Sequence, residues 1–172
     1  SIQATMTNGT LTTNGDTWLA HAGQVGTEAV ITVTANVEGS SQTVGSMTFR
    51  VRKLPDPSPY IQVKDAQGNP VQYKGFPKRI SKADLMSASG LGAAIDDDLL
   101  NVTYTVVSFS TVFYDSMGNA IPEVSDGASF SARQREQFKR LKPGKEFFIS
   151  EVKAKGPDGI TRNISPMQVV LN

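Results

Sequence analysis

Residues 49–61 read FRVRKLPDPSPYI, three prolines within five positions of a chain otherwise rich in strand formers. How this stretch is read decides whether the chain is one β domain with a loop or two domains with a joint. Proline fixes φ and biases the residue before it toward extended backbone, so Leu54, Asp56 and Ser58 are expected to be extended. Residues 55–59, and within them Pro55, Asp56, Pro57 and Pro59, are therefore read as a short semi-rigid interdomain joint.

Before the prolines, period-two alternation dominates. In AVITVTANV, Ile31, Val33, Ala35 and Val37 fall on one face and Val30, Thr32, Thr34 and Asn36 on the other, as a half-buried strand requires. SQTVGSMTFRVRKL carries Val44, Phe49 and Val51 in a second strand, and EGSS turns between the two, so residues 28–54 read as a hairpin. IQATM and TWLAHA are short strands flanking NGTLTTNGD, where Asn8 and Asn14 each precede a glycine suited to a tight turn. Four strands are too few for a sandwich of about seven. With Ser1 in place of an initiator methionine, residues 1–54 read as the C-terminal part of a truncated β-sandwich domain in an excised or processed piece.

After the prolines, YIQVKD and VQYKGF flank the turn DAQGNP. LLNVTYTVVSFSTVFYD is the longest strand signal, alternating through Leu100, Val102, Tyr104 and Val106. The apolar phase then slips to Val107, Phe109 and Phe113, which implies a β-bulge or a bend between sheets. KEFFISEVKAK and ITRNISPMQVVLN form a closing hairpin about GPDG. Two short helices interrupt this pattern. SKADLMSAS has Ser81 as N-cap, Asp84 three residues on and Gly90 as terminator. SARQREQFKRLKPG has Ser131 as cap, Gln134 at the third position and Pro143-Gly144 beyond, with Phe130, Phe138 and Leu141 as an apolar stripe. The predicted fold is all-β: immunoglobulin-like sandwich domains in tandem, the second spanning residues 60–172 with short helical insertions. The spacing shared by Asp65-x-x-Gly68-Asn69 and Asp115-x-x-Gly118-Asn119 reflects common turn chemistry rather than a repeat.

Composition narrows the function classes. The 172 residues are 38% hydrophobic and 19% charged with a formal net charge of +1, which gives no general attraction to nucleic acid or anionic membranes. Cysteine is absent, so there is no disulfide framework, thiolate metal site or cysteine nucleophile. No apolar stretch approaches the roughly 20 residues a membrane helix needs.

Reactive groups are sparse. His21 is the only histidine, sits between two alanines and reads as structural or surface-exposed; no multi-histidine metal site is possible. Asp96, Asp97 and Asp98 are the densest carboxylates, but three consecutive residues cannot all face one ion; a solvated loop outweighs weak calcium binding. The basic run Arg133, Arg135, Lys139, Arg140 and Lys142 contains Glu136 and lacks interleaved aromatics, so a solvated helix face or an acidic protein partner outweighs nucleic acid. Gly90-Leu91-Gly92 and Gly156-Pro157-Asp158-Gly159 lack the context of a phosphate loop and read as turns. The Asn-x-Ser/Thr triplets at Asn8, Asn101 and Asn163 carry no weight as glycosylation sites. The expectation is no enzyme, no metal and no cofactor.

Several phrases in order do resemble a known family. FRVRKLPDPSPYI, ISKADLMSASGLGAAIDD, YTVVSFS and LKPGKEFFISEVKAKGPDGITRNISPMQVVLN resemble the C-terminal region of the GldM/PorM family of the type IX secretion system in Bacteroidetes, from about Thr48 to the end. Before Thr48 the similarity is compositional only. The resemblance implies the distal periplasmic part of an inner-membrane-anchored stalk that pairs as a homodimer. It also implies contact with a ring of GldK/PorK- and GldN/PorN-type proteins, and a GldL/PorL-type membrane partner held by other parts of the parent. A stalk needs stiffness, a defined joint and a partner surface; that surface is placed at Lys78, Arg79, Arg133, Arg135, Lys139 and Arg140. The alternative is a bacterial immunoglobulin-like adhesin or carbohydrate-binding module, which would need an exposed aromatic row; Trp18, Tyr60, Tyr73, Tyr104 and Tyr114 are scattered.

Overall fold

The computed structural model describes residues 1–97, 99, 100 and 102–172. The chain divides into two compact units, Ser1–Leu54 and Pro55–Asn172.

The first unit contains five strands rather than the four expected: β1 (Ile2–Met6), β2 (Gly9–Asn14), β3 (Thr17–Ala22), β4 (Glu28–Val37) and β5 (Ser40–Arg50). The additional one, β2, lies inside the stretch read as turns, because Gly15 at φ 61° folds it back onto β3 with Asn14 opposite Thr17. Sheet order is β1-β4-β5, with β2-β3 as a separate hairpin. The predicted hairpin of β4 and β5 closes through Glu38 and Gly39, both at positive φ, the backbone that matches strand twist in a two-residue turn. Asn8 shows what its triplet is for: its side-chain oxygen accepts from Gln24 N at 2.6 Å and its amide donates to Thr27 Oγ1 at 2.7 Å. Among the described residues of this unit only Ala29 and Val51 are buried hydrophobics, while Ile2, Val44 and Met47 are open to solvent.

The second unit holds the core. A three-stranded sheet, β7-β6-β8, uses β6 (Ser58–Lys64), β7 (Pro70–Tyr73) and β8 (Leu91–Ala94). A larger sheet is built on β9 (Thr105–Tyr114), β10 (Ala120–Ser125), β11 (Glu146–Lys155), β12 (Thr161–Ile164) and β13 (Met167–Val170), in the order β10-β9-β11-β12 with β13 also on β11. Helices α1 (Lys82–Ser87) and α2 (Ala132–Arg140) complete it. Ile61 and Leu91 from the small sheet, Phe109, Phe147 and Val169 from the large one, and Leu85 and Phe138 from the helices share one continuous core.

The phase slip in β9 is a bulge. Pairing with β11 shifts once between Ser150 and Lys153 and again between Lys153 and Ala154, so Glu151 is an extra residue on β11 and Val107 an extra one on β9. Each strand thereby changes which parity it buries: Val106 gives way to Phe109, and Ile149 to Val152. Glu151 takes the left-handed conformation, φ 52°, and its carboxylate accepts from Ser110 Oγ at 3.2 Å. Just before β9, Tyr104 makes a bridge to Ala93 of the other sheet. The expected final strand is two, β12 and β13, because Ser165-Pro166 interrupts it opposite the Glu151 bulge, where proline's missing N–H costs no ladder bond.

Gly90 does not end α1. The helix closes at Ala88, whose N–H donates to Asp84 O, and Gly90 is instead bridged to Ser129, where any Cβ would collide with Ala128 O.

The two Asp-x-x-Gly-Asn turns are chemically the same. Asp65 Oδ1 accepts from Gln67 N at 2.9 Å and Asn69 N at 2.8 Å; Asp115 Oδ1 accepts from Met117 N and Asn119 N, each at 2.9 Å. The backbone N–H of Asn69 or Asn119 is the largest influence holding each carboxyl below the usual aspartate range. Both groups should therefore titrate by NMR below the free aspartate midpoint of 3.8. With the folded pKa depressed, their contribution to stability is present above that midpoint and is lost as pH falls through the folded value. Midpoints at or above 3.8 would refute the turn geometry.

Candidate functional site

Reactive chemistry finds no assembled constellation. His21 is exposed on β3, opposite Thr10. Among the described residues no group of three His, Cys, Asp or Glu side chains is placed to hold a metal ion. Asp96 is paired with Lys74 and Asp97 accepts from Leu99 N at 2.9 Å; Asp98 and Asn101 lie outside the described residues. Tyr73 and Tyr104 are buried, so neither offers a face for sugar stacking.

The proline stretch is built into the second unit. Pro57 and Pro59 are buried, and Ser58 and Pro59 open β6 opposite Ala94 and Ala93. What holds the incoming backbone is Arg162, a β12 residue only 6% exposed. Its Nη1 donates to Tyr104 Oη at 2.9 Å, its Nη2 donates to the Asp158 carboxylate, and its Nε lies 3.7 Å from the Asp56 carboxylate. Tyr104 Oη in turn donates to Pro55 O at 2.9 Å, and the guanidinium lies 5.8 Å from the Tyr104 ring centre. A buried guanidinium is tolerated when its charge is met: here Nη1 and Nη2 are hydrogen-bonded and two carboxylates face the cation, while Nε has the Asp56 charge nearby but no hydrogen bond. Sequence reading passed over Arg162, although it alternates in phase with Ile164 and so had to face inward.

The basic helix is tied down at both ends. Ser131 and Gln134 form the predicted capping box, and fully buried Gln134 also donates to Glu123 O at 3.0 Å. Arg135 spends its guanidinium on the C-terminal end of α1, donating to Met86 O at 3.4 Å and Ala88 O at 3.1 Å. Lys82, the first residue of α1, returns the arrangement by donating to Lys139 O and Leu141 O at the end of α2. Of the residues expected to form a partner surface, Arg135 is thus committed internally, Arg133 lies 4.0 Å from Glu123, and Lys139 pairs with Glu136 at 3.1 Å. Lys78, Arg79 and Arg140 are exposed.

Comparison with protein families finds two matches: the C-terminal domain of GldM over residues 55–172 and the third domain of GldM over residues 1–52. The second match extends the likeness to residues before Thr48, where the sequence phrases gave only composition. Curated proteins yield no match.

Proposed function

The chain belongs to the GldM family, a component of the type IX secretion and gliding machinery, and from that premise we propose that it is the distal part of a periplasmic stalk. In this role it carries movement from an inner-membrane, proton-driven motor to an outer-membrane-associated ring through protein contacts. GldM proteins are inner-membrane-anchored with a periplasmic C-terminal region. Among the residues described here no helix is long and apolar enough to cross a membrane. The stalk pairs as a homodimer, meets GldK/PorK- and GldN/PorN-type ring proteins at its far end, and engages a GldL/PorL-type partner elsewhere in the parent.

The observation that best supports this reading is the anchoring of residues 55–59. A load-bearing unit needs its incoming strand fastened where tension is applied, and Arg162 with Tyr104 fastens it through a carboxylate and a main-chain carbonyl. The remainder of the joint function falls to the residues just upstream. Purified chain is expected to retain ring proteins of the GldN/PorN and GldK/PorK types in a pull-down. Absence of retention by chain shown to be folded by near-ultraviolet circular dichroism would overturn the proposal.

A further inference from the structure

One end of the second unit is knitted from three chain segments that are far apart in sequence. Ile80 bridges Leu171 in parallel, Ile80 N donates to Val170 O at 3.0 Å, and Asn172 N donates to Ile80 O at 2.8 Å. Gly144 N donates to Leu171 O at 3.1 Å and Leu171 N to Lys145 O at 2.9 Å. Lys82 ties the same region to the end of α2. The segments involved, residues 76–82, 139–145 and 168–172, contain no aspartate or glutamate.

They contain seven cations, half of those in the unit. Lys78, Arg79 and Lys82 come from the first segment; Lys139, Arg140, Lys142 and Lys145 come from the second, and all are exposed. Lys82 donates to neutral carbonyls, which leaves its charge uncompensated. Only Lys139 makes an ion pair, with Glu136; among the described residues none is made by Lys78, Arg79, Arg140, Lys142 or Lys145. The nearest acid in sequence, Glu146, is exposed and bonded to the neutral amide of Gln168, so one carboxylate borders the seven cations. A chain with net charge near zero has thus gathered positive charge at one place.

Phe76 stands among these cations, 57% exposed. The loop that presents it is held firmly: Phe76 N donates to Gln168 O at 2.9 Å, Tyr73 Oη donates to Lys78 O at 2.9 Å, and Lys78 N donates to Gly75 O at 3.2 Å. Gly75, at φ 92°, runs so close to β13 that a Cβ there would come within 2.6 Å of Gln168 O. An apolar ring left in water on a fixed backbone loses little freedom when it is buried by a partner, which is the property of an interface anchor.

We propose that this basic end is a docking surface for an acidic protein, with Phe76 entering an apolar socket and the surrounding lysines and arginines meeting carboxylates at the rim. Nucleic acid is the weaker fit, because one aromatic offers no row for successive bases. The inference deepens the stalk reading by naming the chemistry of its partner, and it moves the contact away from Arg133 and Arg135.

The test uses the whole chain and three probes: a short Asp/Glu-rich peptide with one central leucine, a DNA duplex, and vesicles containing phosphatidylglycerol. The peptide is expected to bind best and to weaken steeply with salt. K78E/R79E/K142E/K145E should weaken peptide binding by about tenfold or more, and F76S by about tenfold. K153E/K155E, which adds acids on β11, should leave it unchanged. Equal or tighter binding of DNA or vesicles, or indifference of the peptide to both variants, would overturn the proposal. Ring proteins separate the two ideas. If the fourfold variant still retains them, this surface is wrong and the stalk reading stands; if wild-type chain binds the peptide and no ring protein, the surface stands and the stalk reading falls.

Discussion

Phe138→Ala is expected to lower the stability of the Pro55–Asn172 unit by about 3–5 kcal/mol. Phe138 is 0% exposed and is met by Phe130 at 4.9 Å edge-on, Phe147 at 5.1 Å and Phe113 at 6.0 Å between ring centres. Those rings come from two strands and a loop and are held by their own backbones, so they cannot collapse into the space left behind. The loss combines lost transfer free energy with an unfilled cavity, and it removes one edge-to-face contact, with Phe130, worth about 0.5–1.5 kcal/mol. Against a typical domain stability of about 5–15 kcal/mol this is a large fraction. Urea unfolding followed by near-ultraviolet circular dichroism measures it; tryptophan fluorescence would not, because Trp18, the sole tryptophan, lies in the first unit. Phe76→Ala, at an exposed position, should shift stability by no more than about 0.5 kcal/mol. A Phe138→Ala effect below about 1 kcal/mol would show that the core refills.

Arg162→Met should cost about 2–3 kcal/mol and speed amide hydrogen exchange at Asp56 and Ser58, since Pro55 and Pro57 carry no N–H. Removing one member of a fully buried ion pair costs about 3–5 kcal/mol. Here the stranded carboxylates of Asp56 and Asp158 are 58% and 27% exposed and can recover water, which lowers the figure. The Tyr104 hydroxyl keeps its bond to Pro55 O but loses the guanidinium that oriented it. The prolines divide in the same experiment. Pro55 is exposed, so Pro55→Gly should act on the connection alone, whereas Pro57→Gly and Pro59→Gly alter buried residues of the second unit and should each cost about 0.4–1 kcal/mol through the unfolded chain, plus lost contact. Unchanged exchange at Asp56 and Ser58 in Arg162→Met would mean that the prolines, and not the arginine, fasten the strand.

The features legible in sequence are those governed by neighbours along the chain. The Ser131–Gln134 capping box, the Asp65 and Asp115 turns and the β4–β5 hairpin each depend on residues within a few positions, and each was anticipated, although the burial of β4 does not alternate as its sequence does. The β9 bulge was visible as a phase slip; the matching slip in β11, from Ile149 to Val152, was equally present and went unread because Ser150-Glu151 looked like an ordinary polar stretch. β2 was missed because its single large apolar residue, Leu11, gives no alternation, and its pairing comes from the turn at Gly15. Gly90 was misread because clearance from Ala128, 38 positions away, has no local signature. The same reason separates the basic residues. A run of cations in α2 says nothing of which one reaches the carbonyls of α1, nor that Lys78 and Lys142 share an end of the fold through Leu171.

The exchange of cations between α1 and α2 has a dynamic consequence. α1 has six residues, too few to persist alone, since nucleating a helix is unfavourable and short ones are marginal in water. Its last carbonyls depend on Arg135, which is aimed only when α2 is formed, and the last carbonyls of α2 depend on Lys82, which is aimed only when α1 is formed. Neither helix can fray without uncapping the other. They open and close as one cooperative unit, so amide protons on Leu85 and Phe138, more than fifty residues apart in the chain, are released to solvent in the same event.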